Sequence, residues 1–166
     1  MEKQPLALCS DNENEAEVYF KRDLDLSRDE IRALIGNLQD RAVEIEKAGG
    51  GVDAPVTHRF SKGVYAREMF IPKGAFVVGK IHKYQNLNIL SKGDLSVLSV
   101  DGIMRVKAPF AVVSDPGVKR AVYAHEDCIW TTIHGTDETD VDKIEEIFIA
   151  KSYEDVVSEI EAKRSE

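Results

Sequence analysis

The chain has 166 residues, enough for one domain whose core needs neither disulfides nor a structural metal. Its composition, 43% apolar and 31% charged with a net charge of −8, is that of a globular protein; it excludes a disordered chain and a general nucleic-acid binder. No apolar run approaches the roughly 18 residues that cross a bilayer, the acidic start Met1-Glu2-Lys3 is unlike a secretory signal, and Cys9 and Cys128 stand far apart, so a cytoplasmic protein without disulfides or membrane contact is expected.

Residues 1–26 hold seven acids and three bases among few apolar positions, and read as an acidic irregular arm with a short strand around Val18, Tyr19 and Phe20. Ser27-Arg28-Asp29-Glu30 is a capping box that opens a helix over 27–48. Ile31, Leu34, Ile35, Leu38, Ala42 and Ile45 fall on one face of it, and Gly49-Gly50-Gly51 ends it. The apolar stripe is expected to pack on the domain or on a partner subunit.

From 52 to 136 the period becomes that of strands between Gly, Pro and Asp turns. Strands are predicted at Val64 to Ile71, Ala75 to His82, Leu87 to Ser91, Leu95 to Val100, Ile103 to Lys107, Phe110 to Val113, Val118 to Tyr123 and Cys128 to His134. Eight such strands without an intervening helix predict a mainly β protein, an antiparallel jelly-roll barrel with an N-terminal helix and C-terminal helices. This segment carries eleven bases and seven acids, so a weakly basic barrel sits between acidic flanks. Residues 137–166 are acidic and predicted helical, first through Val141, Ile144, Ile147 and Phe148, then through Tyr153, Val156, Val157 and Ile160 behind a Ser152 cap.

The turn spacing Gly74-x5-Lys80-x-His82-x3-Asn86-x6-Gly93 resembles the first motif of the cupins, and Asp115-Pro116-Gly117-Val118-Lys119-Arg120 resembles their second, with Arg120 in the place of a histidine. The chain is also similar to small cupin-like proteins encoded by tailed phages. The resemblance covers roughly residues 52 to 136 and implies a barrel site in which Lys80, His82, Asn86 and Arg120 occupy the positions that hold metal ligands in metal-binding cupins. Lysine and arginine offer no free lone pair to a metal at neutral pH, so only His82 fits that set unchanged.

Alternation places Phe76, Val78, Lys80 and His82 on one face of their strand, the inner face in a cupin register, and Trp130, Thr132 and His134 on one face of theirs. The ligand-binding candidates are therefore Lys80, His82, Asn86, Arg120, Trp130 and His134, around a small anionic or sugar-like molecule with no cofactor required. Lys80 must reach solvent, meet that ligand, or pair with a carboxylate such as Glu68 or Asp115. Were the site catalytic, metal-independent epimerase or isomerase chemistry would use His82 as base and Lys80 as a charge stabiliser. Two alternatives stand beside this reading. One is a non-catalytic interaction or accessory phage protein that uses the jelly roll as scaffold. The other is a metal-dependent cupin with a divalent ion on His82, His134 and His125. A homodimer is expected in each case. His58 reads as structural, and Cys128 as a small buried hydrophobe.

Overall fold

Strands with turn glycines between them fold here into two antiparallel sheets around one apolar interior. The computed structural model describes residues 7–9 and 25–156. In chain order the elements are β1 (Ala7–Cys9), α1 (Arg28–Lys47), β2 (Gly51–Val52), β3 (Val56–Ser61), β4 (Val64–Ile71), β5 (Ala75–Val78), β6 (Ile81–His82), β7 (Asn86–Lys92), β8 (Asp94–Ser99), β9 (Gly102–Lys107), β10 (Phe110–Ser114), β11 (Ala121–Ala124), β12 (Cys128–His134), α2 (Val141–Phe148) and β13 (Ile149–Ala150). One sheet has the order β2-β1-β5-β11-β8-β9, the other β10-β7-β12-β4-β3, and β13 pairs with β6 as a separate ribbon. The mainly β, antiparallel barrel expected from the sequence is present. The strand expected around Val18 to Phe20, and Val157 and Ile160 of the last helix, lie outside the described residues.

The barrel interior is built by Met69, Ile71 and Leu90 of one sheet meeting Val77, Leu95, Val97, Val106 and Val122 of the other. At the β7–β8 turn the chains approach so closely that only glycine fits. Gly93 has φ +96, and a Cβ there would lie 2.4 Å from the Cys128 sulfur. Asp94 follows, nearly inaccessible, its carboxylate accepting two 2.9 Å hydrogen bonds from Arg105. The Arg105 bonds hold the Asp94 pKa below its usual value.

The capping box at α1 forms as read. Glu30 donates its backbone N–H to the Ser27 hydroxyl, and Ser27 donates its own to the Glu30 carboxylate. The α1 stripe of Ile31, Ile35 and Ala42 packs on Phe76, Val78, Leu98, Ala121 and Tyr123, on the outer face of the six-stranded sheet. The helix therefore covers its own domain. On the outer face of the other sheet, Leu87 and Val113 are exposed and paired in register.

This packing corrects one expectation. Phe76 and Val78 face α1, not the barrel interior, and the inner residues of β5 are Ala75 and Val77. All four residues of β5 are buried, so alternation alone does not say which face is inward. The predicted strand Ala75 to His82 is also interrupted at Gly79-Lys80. The break changes the parity, so that Val77 on one side of it and His82 on the other both point inward while Ile81 joins a different cluster with Ala150 and Val156. Among the described residues, no helix is long and apolar enough to cross a membrane.

Candidate functional site

The barrel encloses a cavity of about 150 Å³. Strand register stacks its lining in layers. On the five-stranded sheet Trp130 lies between Met69 and Leu90, Thr132 between Arg67 and Asn88, and His134 opposite Tyr65. On the facing sheet Val77 pairs with Val122, and one step further the Gly79 N–H donates to the Arg120 carbonyl at 2.8 Å. Moving along the axis, the wall changes from hydrocarbon to a belt containing Arg67, Asn88, Thr132 and Arg120, and then to histidine.

The histidine layer is a stacked pair. His82 Nδ1 and His134 Nε2 are 3.1 Å apart, the rings are 5.1 Å apart at 20°, and Phe148 stacks on the other face of His134 at 4.3 Å. His134 Nδ1 is buried, with no hydrogen-bond partner among the described residues. Burial is the main reason that both rings resist protonation. His82 is pushed down to about 3, with further contributions from His134, Arg67, Arg120 and Lys80, and His134 to about 4. Both are neutral at physiological pH. Beside them His58 Nδ1 lies 2.8 Å from the Tyr65 hydroxyl; burial lowers the His58 pKa and raises that of Tyr65.

Asn88 organises the belt. Its Oδ1 accepts from the Thr132 hydroxyl (2.8 Å) and the Trp130 indole (3.3 Å), and its Nδ2 donates to Asn86 Oδ1 and Ser114 Oγ, both at 2.7 Å. The amide is saturated. Arg67 and Arg120 also line the cavity, and burial lowers the pKa of both guanidinium groups, so these cations are short of solvation. Arg120 makes no close ion pair with any of the described residues, and the Asp101 carboxylate acts on it only at longer range.

Helix α2 closes the end of the barrel. Its N-cap is Asp140, whose carboxylate accepts from the N–H groups of Asp142 and Lys143. Ile144 and Phe148 pack on Tyr65, and Val141, Ile144, Glu145 and Phe148 form part of the cavity wall. Glu145 forms an ion pair with Lys80. The Lys83 N–H donates to the Phe148 carbonyl at 2.8 Å, and β13 continues the helix into the β6 ribbon, with Ile149 opposite His82.

Of the residues singled out by sequence, the structure brings Lys80, His82, Arg120, Trp130 and His134 to one cavity. Asn86 is buried behind its wall, bonded to Asn88 and to the Tyr84 carbonyl. His125 lies on the outer, α1-facing side, with its Nε2 2.7 Å from Ser96 Oγ and its ring edge-on to Tyr123. The metal set His82, His134 and His125 is therefore not assembled, and no group of three His, Cys, Asp or Glu that would hold an ion occurs among the described residues. Arg67, Arg120 and Lys80 all act on His82 as positive charges, which further opposes a divalent cation there. Of the carboxylates expected for Lys80, Glu68 pairs with Arg59 and Asp115 accepts from Gln85.

Sequence reasoning passed over Arg67, Tyr65, Asn88 and the α2 residues. The signal for the first two was available: Tyr65, Arg67, Met69 and Ile71 alternate on β4, and the two apolar members mark the inward face.

No protein-family model matches the sequence, and no curated protein is significantly similar to it. Solved cupins are among the structures it is similar to. An RmlC-like cupin family protein with a double-stranded β-helix fold from Methanocaldococcus jannaschii aligns with a TM-score of 0.43 and 14% identity, over 51% of this chain and 82% of that one. A cupin domain protein from Bordetella pertussis aligns with a TM-score of 0.41 and 16% identity, over 50% and 93%. An acetylacetone dioxygenase from Acinetobacter johnsonii aligns with a TM-score of 0.42 and 15% identity, over 49% of this chain and 59% of that one.

Proposed function

We propose that this protein is a small-molecule binder whose barrel cavity takes an anion. The observation that carries the reading is Arg120, a partly desolvated guanidinium in the cavity wall with no close ion pair among the described residues. A buried cation loses water that only a counter-charge replaces, and the planar fork of arginine suits a carboxylate or phosphate. Arg67 lines the same wall, and Lys80 there is paired with Glu145. His82 and His134, both neutral, add no charge of their own.

Binding is better supported than catalysis. A general base works best with a pKa near the operating pH, and the His82 imidazole, at about 3, has little affinity for a proton. Epimerase or isomerase chemistry through His82 and Lys80 would require the ligand itself to raise that value.

Thermal unfolding with and without added anions tests the reading. A ligand that binds only the folded state stabilises it by about 2.7 kcal/mol at one hundred times its Kd, a rise of roughly 5 °C or more in Tm for a domain of this size. Benzoate, acetate and phosphate form the panel, with chloride as ionic-strength control. The expected result is a saturable rise for at least one anion that Arg120→Met abolishes. A panel without effect, or an effect that Arg120→Met retains, counts against an anion in the barrel.

A further inference from the structure

The layering of the cavity narrows the ligand class, given the anion-binding reading above, on which this step rests. We infer that the ligand is a small amphipathic carboxylate, with its charged end at the Arg67 and Arg120 belt and a hydrocarbon or aromatic end on the barrel floor. A polyhydroxylated acid of the same size is disfavoured.

Three observations support this. The floor below the belt is made by Met69, Ile71, Val77, Val122 and Trp130, which offer hydrocarbon and the face of an indole. The one polar atom of that layer, the Trp130 indole nitrogen, already donates to Asn88. In the belt itself the Asn88 amide spends both its acceptor and its donor capacity on Trp130, Thr132, Asn86 and Ser114. A sugar-like molecule anchored at the belt would therefore bring hydroxyls to the floor, whose one polar atom is already bonded, and each unpaired hydroxyl opposes binding. An apolar body loses nothing there and leaves water.

The size agrees. A cavity of about 150 Å³ is of the order that accommodates a benzene ring. The polarity gradient also sets orientation: the apolar end leads toward Val77 and Val122, while the charged end stays on the histidine side, beneath α2.

Calorimetric titration of the full chain with acetate, benzoate and gluconate tests the inference, since the three share a carboxylate and differ in body. Burial of each methylene-sized group strengthens binding about fourfold, so benzoate is expected to bind at least tenfold tighter than both acetate and gluconate. Val122→Thr, which conserves shape and adds a hydroxyl to the floor, is expected to weaken benzoate severalfold and acetate little. Should Val122→Thr not fold, Val77→Thr serves, and the ligand series on the wild-type chain decides by itself. Gluconate equal to or tighter than benzoate, with dependence on Arg120, overturns the amphipathic inference and leaves the anion reading standing. Benzoate binding unchanged by the floor substitution also overturns it. If none of the three carboxylates binds, the amphipathic inference fails; the anion reading fails with it only if phosphate also leaves Tm unchanged.

Discussion

His82 Nδ1 lies 3.1 Å from His134 Nε2, and Phe148 covers the other face of His134. This contact joins the strand that follows the Gly79-Lys80 break to the last barrel strand and to the closing helix. One proton serves both nitrogens of the contact, so protonating both rings would set two N–H donors and two cations against each other beside Arg67, Arg120 and Lys80.

Stability is expected to fall with acidification well before the carboxylates titrate. Unfolded, each histidine protonates near 6.5; folded, His82 and His134 remain neutral down to about 3 and 4. Below pH 6.5 the unfolded state therefore binds protons that the folded state does not. Their stabilising contribution is complete above pH 6.5 and is lost as pH falls toward 4, by up to about 1.4 kcal/mol per unit for each ring. Urea midpoints at pH 7.5, 6.0 and 5.0 measure the slope, and His82→Gln with His134→Gln is expected to flatten it. An equal slope in that double variant would locate the effect elsewhere.

Asn88→Leu is expected to cost about 2 to 4 kcal/mol, because it strands the Thr132 hydroxyl, the Trp130 indole, Asn86 Oδ1 and Ser114 in a buried layer. A loss under about 1 kcal/mol in chemical denaturation would mean that those groups re-pair locally.

The Lys80 to Glu145 pair is partly exposed, at 32% and 26% of the side chains, so its contribution to global stability is expected to stay below about 1 kcal/mol. Its effect is local. Glu145→Gln is expected to speed amide exchange in α2 and β13 while leaving β4, β7 and β12 unchanged. Uniform acceleration through the barrel, or none, contradicts that local effect.

Much of the architecture was legible in the sequence because it rests on local rules. The α1 cap follows from two side chains three residues apart, and the ends of β4 and β12 from turn residues at both boundaries. The meeting of His82 and His134 was legible only on condition that the Trp130, Thr132 and His134 face of β12 looks inward, which those three residues do by lining the cavity. The inward face of β5 did not, because both of its faces are buried, one by the barrel and one by α1. Nor was the partner of Lys80 readable. Glu145 is 65 positions later in the chain and reaches it only because α2 folds back on the barrel mouth. His125 shows the same limit in reverse: an imidazole in a turn carries no sign of the face it serves, and the Ser96 bond decides it.

Cys128 is expected to be inert. It is fully buried, donates to the carbonyls of Asp94 and Glu126, and burial pushes its thiol up to about 11. In a Cys9→Ser background, native protein at pH 8 should not react with an aromatic disulfide reagent, and denatured protein should react with one equivalent. Rapid native labelling would mean that the β7–β8 turn opens readily.

The central claim is that the barrel holds a small anion at Arg120. Calorimetric titration of benzoate into the wild-type chain and Arg120→Met, at constant ionic strength, tests it most directly. The expected result is saturable binding of one benzoate per chain, weakened at least tenfold by the substitution, in line with the loss of a charge-assisted hydrogen bond. Wild-type protein that binds neither benzoate nor phosphate saturably, or an Arg120→Met variant that binds benzoate equally well, would contradict it.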